Sequence, residues 1–268
     1  MCWNGKASTI LATCGFIGCT YSAYKKEPRA LWSCLSYFSL MEALQAYTYT
    51  VINACNNPMN QIATLLGFLH IAIQPFFINA MSLYFIPEKA RLKVSSFVYF
   101  VCFVCMILMV IKIYPFGWSS VVPRGAPLCA DRLCSVSGNW HIAWELPVND
   151  FMNITLFNYK IVWAPYIIAA FILPLLYGSW RFTLYHLILG PFLARLSTNN
   201  PNEFPAVWCL LSIGFLLVVV KTPVRKLLFV RRVWWTRRLT EGSGSGNSDI
   251  WLNLQKIGQS RRSGRALR

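Results

Sequence analysis

Glu42 brings a carboxyl group into an apolar stretch, S-L-M-E-A-L-Q-A-Y-T-Y, with Gln45 and Tyr49 three and seven residues later. In a helix these spacings place all three side chains on one face. Because lipid cannot solvate a carboxylate, we expect that face to point into a helical bundle. The carboxyl group could relay protons, bind an ion or act as a catalytic acid or base. Alternatively, it is protonated and hydrogen-bonded to a neighbouring helix.

A second polar face lies in the run G-F-L-H-I-A-I-Q-P-F-F-I-N at 67–79, which also contains Asn79. His70 and Gln74 are four residues apart and share a helical face. Pro75 lacks an N–H, so the carbonyl of Ile71 loses its helical partner and a kink is predicted. The same order of His, Pro and Phe returns in H-L-I-L-G-P-F at 186–192. This repetition is either a pair of broken helices of the kind found in transporters or a coincidence.

Together these residues predict a polar site among the second, third and sixth apolar segments. Its candidate ligand- or ion-binding residues are Glu42, Gln45, His70, Gln74, Asn79 and His186. Glu42, His70 and His186 are weak candidates for metal binding, because the two histidines are expected at different depths. We therefore assign no metal, and the cofactor is unknown. The last apolar segment has no central Lys, which disfavours a retinal Schiff base.

A further set of polar and aromatic residues is predicted at the outer surface as a vestibule. Its members are Trp140, His141, Trp144, Glu145, Glu203 and Trp208. If 140–145 is helical, Trp140 pairs with Trp144 and His141 with Glu145, and the segment forms either a lid or an aromatic anchor in the membrane interface. Cys129 and Cys134 are the candidate disulfide in this loop, with Cys2 and Cys55 as a second candidate pair.

The elements that position these residues are predicted from composition and hydropathy. The chain is 56% hydrophobic and 13% charged, with mean hydropathy +0.46, whereas soluble domains carry roughly 25% charged residues. Apolar runs long enough to span a bilayer begin at about 7, 31, 61, 94, 160, 182 and 206. The predicted fold is therefore an all-α integral membrane protein, a bundle of about seven transmembrane helices over 1–222 with a long outer loop at 115–159.

The distribution of the 25 Lys and Arg residues predicts the orientation. Most of them lie after the first, third, fifth and seventh runs, which places the N-terminus outside and the C-terminus in the cytoplasm. Residues 223–240 are predicted as a basic amphipathic cytoplasmic helix on anionic lipid headgroups, or as a simple extension of the seventh run. Residues 241–268 are predicted to be a disordered basic tail. Nucleic-acid binding is disfavoured.

Four motifs resemble an uncharacterised family of multi-span membrane proteins: M-C-W-N at 1–4, M-E-A-L-Q at 41–45, H-I-A-I-Q-P at 70–75 and P-N-E-F-P-A-V-W-C at 201–209. The resemblance implies a membrane bundle and carries no activity with it. G-x-S-x-G and Walker motifs are absent from the sequence, and no catalytic residue is assigned.

The leading hypothesis is a transporter- or receptor-like protein that holds a small molecule or ion in the predicted polar site. A membrane-embedded enzyme that uses Glu42 and a His for acid–base or metal chemistry is the first alternative, and the sequence favours a non-enzymatic role over it. A structural or assembly protein, with a basic tail that binds lipid or a partner, is the second.

Overall fold

A computed structural model describes residues 3–113, 122, 125–151, 153–156 and 159–236. The chain divides into two compact units, 1–231 and 232–268. Of the second unit, the described part contains a short 3-10 turn at Trp234–Thr236. The predicted disordered tail, 241–268, and Cys2 lie outside the described residues. The first unit contains the helices and the candidate site.

Four long helices form the first half of this unit: α1 (Gly5–Tyr24), α2 (Arg29–Thr48), α3 (Pro58–Tyr84) and α4 (Glu88–Ile111). Local signals begin them. The Asn4 side chain accepts a hydrogen bond from the Ala7 N–H, and Asn57 caps α3 ahead of Pro58 at its first turn. Both are favoured arrangements at a helix N-terminus. Pro28 and Pro87 directly precede α2 and α4.

The second half contains α5 (Ala164–Leu176), α6 (180–197), α7 (Phe204–Lys221) and the short α8 (Val224–Leu228). Helix α5 widens into a π turn at Ile168–Ile172, and α6 widens into one at Ile188–Phe192. Each π turn lies at or just before a proline, Pro174 or Pro191, whose missing N–H disrupts the regular helical ladder. By contrast, α3 is assigned as α-helix through Pro75. The two His–Pro–Phe stretches therefore differ in helical geometry.

Helices α1 to α7 coincide with the seven predicted apolar runs. Helix α3 packs against α2, α4 and α5, while α7 packs against α1, α2 and α6. By length and composition, two helices among the described residues are apolar enough to cross a membrane, Pro58–Tyr84 and Glu88–Ile111. Ala164–Leu176 and Phe204–Val220 are also apolar but shorter.

The all-α prediction is wrong for the long loop, which contains two antiparallel hairpins. Strands β1 (Cys134–Ser137) and β2 (Ile142–Glu145) form the first, in which Ser135 pairs with Trp144. Strands β3 (Ile154–Leu156) and β4 (Tyr159–Ile161) form the second. The helical i, i+4 pairs expected within 140–145 do not form, because Ile142 and Trp144 belong to residue types that favour strands.

The single amphipathic helix predicted over 223–240 is also wrong within the described residues, since α8 ends at Leu228. After Leu228, tertiary hydrogen bonds replace the helical ones. The Arg181 guanidinium donates to the carbonyls of Leu227 and Phe229, and the Val230 N–H donates to the Phe85 carbonyl at 2.8 Å. Backbone groups bonded in this way hold the segment extended after α8. Residues 237–240 lie outside the described part.

Candidate functional site

A cavity of about 390 Å³ lies among α3, α4, α5, α6 and α7 and carries no charged side chain on its described walls. Apolar and aromatic residues form most of the wall, including Ile71, Met109, Trp163 and Phe171. Pro127 and Leu128 of the long loop also line it. Small-molecule sites in proteins have this size and this mainly apolar character, with a few placed polar groups.

Gln74 is the one predicted ligand-binding residue that lines this cavity. Its Oε1 accepts a hydrogen bond from the Tyr166 hydroxyl at 2.6 Å, and its Nε2 lies 3.8 Å from the Cys209 sulfur. A thiol is a weak hydrogen-bond acceptor. The Gln74 amide N–H therefore remains able to donate to a better acceptor placed in the cavity.

Trp208 also lines the cavity. Its Nε1 is buried and has no hydrogen-bond partner among the described residues. The indole fits because position 190 is a glycine, where an added Cβ would lie 2.5 Å from that nitrogen. The nitrogen therefore packs against α6, and the indole contributes an apolar surface to the cavity.

His186 lies behind Trp208 and does not line the cavity. The two rings are 5.5 Å apart between centroids, and Phe171 stacks on the imidazole at 5.1 Å. Both His186 ring nitrogens lack partners in the described structure. This aromatic cluster holds the Trp208 indole in place against the cavity.

The remaining candidates from the predicted polar site lie away from the cavity. Glu42 and Gln45 are fully buried on α2. The Gln45 amide has no partner within the described residues, and the Glu42 carboxyl lies beside Ser8 of α1. His70 stacks on Tyr37 with ring centroids 3.8 Å apart. Asn79 donates to the carbonyls of Pro75 and Ala169 at 2.8 Å, which joins α3 to α5. Asn79 is therefore explained by packing between helices.

The predicted metal ligands do not come together. Among the described residues, no group of three or more His, Cys, Asp and Glu side chains is arranged to hold a metal ion. Glu42, His70 and His186 lie on three different helices and contribute to separate local environments.

The β1–β2 hairpin and the chain around it form a cap on the end of the bundle where α1, α3 and α7 begin, and Glu203 holds this cap in place. The Glu203 carboxylate is fully buried. It accepts hydrogen bonds from the N–H groups of Asn139, Trp140 and His141 and from the Thr198 hydroxyl. This carboxylate therefore holds the hairpin turn at the start of α7.

The rest of the predicted vestibule separates into different roles. Trp144 is buried and packs on Gly67 of α3, where an added Cβ would meet the indole at 3.4 Å. Glu145 points the other way and pairs with Arg132 at 2.6 Å. Glu203, Trp140 and His141 lie together in the cap, whereas Trp208 lines the cavity.

The disulfide predicted between Cys129 and Cys134 is wrong. Cys134 bonds to Cys55, in the loop between α2 and α3, and this also excludes the pair Cys2–Cys55. Cys129 is a free, buried thiol that bonds the Pro127 carbonyl. Burial raises the pKa of Cys129 to about 11, so the group stays a thiol at neutral pH and is a poor nucleophile toward the neighbouring disulfide.

Three structural residues gave little signal in the sequence. The fully buried Asn60 side chain bonds both the N–H and the carbonyl of Ser135, so it ties α3 to β1. The buried Lys112 amino group bonds the Asn153 side chain at 2.8 Å, and burial lowers the pKa of Lys112 to about 8. Tyr166 lies in a uniformly apolar run. For Asn60 and Lys112, the only signal in the sequence is an isolated polar residue near the end of an apolar run.

His141 makes the cap sensitive to acid. Its Nδ1 lies 2.7 Å from the Tyr49 hydroxyl, and burial lowers the pKa of His141 from 6.5 to about 3. Between these two pH values His141 is protonated in the unfolded state but neutral in the folded state. The folded state therefore loses stability as the pH falls below 6.5 toward 3.

We expect amide hydrogen exchange at 138–145 to become faster as the pH falls from about 7 to about 4.5. After correction for the intrinsic exchange rate, the free energy of opening should decrease by about 1 kcal/mol per pH unit. His141→Gln should flatten this dependence. Glu203, which bonds the His141 backbone, is present in both proteins, so their difference reports the imidazole. Equal pH dependence in both proteins would contradict the assignment.

Comparison with known proteins finds one family. A model described as a family of unknown function, DUF5765, matches residues 6–229. The match begins after Met-Cys-Trp-Asn and includes all the helices of the first unit. No curated protein and no solved structure gives a significant match.

Proposed function

The chain belongs to DUF5765, a family of unknown function, and on that premise we propose that it is a multi-pass membrane protein that binds a small, neutral, mainly apolar molecule in the cavity among α3 to α7. Its role would be receptor- or transporter-like. The observation that carries the proposal is the uncharged cavity of about 390 Å³, whose surface is almost entirely apolar.

The membrane part of the proposal places α1 to α7 as seven spans. Large apolar side chains on the outside of the bundle support it, for example Ile10, Leu92 and Leu196, which are 65–70% exposed. Soluble proteins rarely expose many such residues together. The charge asymmetry in the sequence supports an outside N-terminus and a cytoplasmic C-terminus. The basic residues after α7 would then face anionic lipid headgroups.

The nature of the ligand follows from the apolar surface of the cavity and from the missing charges. Apolar and aromatic side chains supply almost all of the wall, and the Gln74 amide N–H faces only a thiol. The described cavity wall has no Asp, Glu, Lys, Arg or His to balance an ionic group, and an unpaired charge is costly in such surroundings. A neutral molecule with a carbonyl, ether or hydroxyl oxygen at one end satisfies both conditions.

The neutral aromatic ketone prodan is a suitable probe, because its emission reports both polarity and hydrogen bonding at its carbonyl. We expect saturable prodan binding to the purified protein in lipid nanodiscs. Trp208→Phe replaces the indole of the wall with a smaller ring, and the lost apolar contact should weaken binding about ten-fold, the equivalent of about 1.4 kcal/mol. Bound prodan should emit at shorter wavelength than prodan in water, because the cavity is apolar.

Gly190→Ala tests the cavity through its shape. The added Cβ would lie 2.5 Å from the Trp208 Nε1, so the indole must move and prodan affinity should fall. Gly214→Ala is the matched control, because its added Cβ meets nothing within 4 Å. Absence of saturable binding to the wild-type protein, or equal binding by Trp208→Phe, Gly190→Ala and wild type, would overturn the proposed function.

A further inference from the structure

From the position of the cavity we infer that its ligand is a membrane-dissolved lipophile that enters sideways, through an opening between α5 and α6. This inference rests on the proposed function and adds the source and the path of the ligand. It is carried by the exposure of certain wall residues, by the cap on the outer end and by the two π turns.

The cavity reaches the outer surface of the bundle between two helices. Ile167 on α5 and Leu187 on α6 both line it, and they are 38% and 45% exposed. A side chain that belongs to a cavity wall and is also exposed on the bundle surface marks the rim of an opening. In the proposed orientation that surface faces lipid, so the opening leads to the bilayer.

Access from the outer aqueous side is blocked by the long loop. Pro127 and Leu128 close that end of the cavity. Backbone hydrogen bonds hold them: the Leu146 N–H donates to the Leu128 carbonyl at 3.0 Å, and the Ala130 N–H donates to the Leu146 carbonyl at 2.8 Å. Leu146 directly follows β2, so this part of the wall is continuous with the cap fastened by Glu203 and the Cys55–Cys134 bond.

Both sides of the opening carry a π turn. Phe171 lies in the π turn of α5, Pro191 lies in that of α6, and both line the cavity. Pro174 and Pro191 remove backbone hydrogen bonds at these turns, and π turns within α-helices are frequent at functional sites. With weakened ladders on both helices, the two segments can separate locally while the rest of the bundle stays packed.

The chemistry of the path matches the chemistry of the cavity. The rim residues Ile167 and Leu187 are aliphatic, and the described wall within is almost entirely apolar, with Gln74 as its one amide side chain. A neutral lipophile crosses such a rim without losing hydration, because it arrives from hydrocarbon. A water-soluble polar molecule would have to lose its hydration in the bilayer first, which is costly.

Association kinetics test the path separately from binding itself. Prodan would be delivered from preloaded vesicles to the protein in acceptor vesicles, with stopped-flow detection of its emission change. Ile167→Trp and Leu187→Trp place a larger side chain at the rim and should each slow association about ten-fold, because the opening is narrowed. Dissociation should slow as well, because the ligand leaves through the same opening.

Ile172→Trp and Leu184→Trp are the matched controls. Both positions are on the same two helices and are 43% and 48% exposed, but neither lines the cavity. Each control adds one indole to the surface, as the rim variants do, and should keep the wild-type rate. Saturable binding with wild-type rates in both rim variants would overturn the sideways path and leave the proposed function standing. Absence of saturable binding in the wild-type protein would overturn both.

Discussion

Replacing Glu203 with alanine is expected to release the cap from the bundle and to lower the free energy of unfolding by about 3 kcal/mol. The Glu203 carboxylate is fully buried and accepts four hydrogen bonds, three of them from consecutive backbone N–H groups at 139–141. Of these donors the His141 N–H and the Thr198 hydroxyl are buried, so their loss of a charged acceptor should account for the largest part of the effect.

Glu203→Gln should have an intermediate effect. The amide keeps one acceptor oxygen but turns an NH₂ group toward backbone donors, and hydrogen bonds to a charged acceptor are about twice as strong as neutral ones. Thermal unfolding and hydrogen exchange at 138–146 measure both variants. Exchange should rise throughout this segment for Glu203→Ala and less for Glu203→Gln.

Glu145→Gln is the matched control, a second glutamate in the same cap. Its carboxylate pairs with Arg132, whose side chain is 56% exposed. Exposed ion pairs contribute about 0–1 kcal/mol, so this change should leave the midpoint and the exchange pattern near those of the wild type. If Glu203→Ala and Glu145→Gln proved equally mild, the central role of Glu203 in the cap would be wrong.

The positions of the helices were predictable because each apolar run has clear ends. Asn57 and Pro58 begin α3, and Pro87 separates it from α4. The burial of Glu42 and Gln45 followed equally directly, since their spacing puts both on one helical face. These signals are local, so a single sequence reveals them. The membership in a family of unknown function also agrees with the resemblance to an uncharacterised family.

The cap could not be predicted because its structure depends on distant contacts. Its strands are four residues long, too short for a clear alternating pattern. They are held by Asn60 on α3, Glu203 before α7 and the bond to Cys55. The cavity was missed for a related reason. Tyr166 and Phe171 are ordinary members of an apolar run, and only the packing of α5 against α3 makes them line a space.

The difference between the predicted and observed sites is itself informative. The predicted site gathered the costly polar residues Glu42, His70 and His186, whereas the cavity is lined mainly by apolar residues together with Gln74. A polar residue in an apolar helix indicates which face of the helix points into the bundle. It does not distinguish a ligand site from a contact between helices, because both lie in the bundle interior. Asn79 shows the packing case, since its amide joins α3 to α5.

Removal of the Cys55–Cys134 bond should be the most destabilising change in the cap. The bond closes a loop with a sequence separation of 79, for which the chain-entropy estimate is about 4.5 kcal/mol. The double variant Cys55→Ser, Cys134→Ser should therefore unfold at much lower denaturant concentration than the wild type. Urea titration in detergent, followed by Trp fluorescence, measures the shift.

Cys129→Ser is the control that separates the observed pairing from the one the sequence suggested. Cys129 is buried and bonds the Pro127 carbonyl through its sulfur, and a serine hydroxyl can donate the same bond. Peptide mapping without reductant should find Cys55 joined to Cys134 in both the wild type and this variant. A Cys129–Cys134 peptide, or a loss of stability in Cys129→Ser as large as in the double variant, would contradict the pairing.

The same bond bears on the orientation of the chain. Disulfides persist on the oxidising side of a membrane and are rare on the cytoplasmic side, so a stable Cys55–Cys134 bond in cells is expected only if the cap faces outward. Mapping should therefore be done on protein whose free thiols were blocked in intact cells before lysis. Full oxidation of this pair would support a cap that faces outward. It would also support an external N-terminus, because the backbone N–H of Trp3, just before α1, donates to the Trp140 carbonyl at 2.8 Å. Free thiols at both positions would instead place the cap in the cytoplasm and reverse the proposed topology.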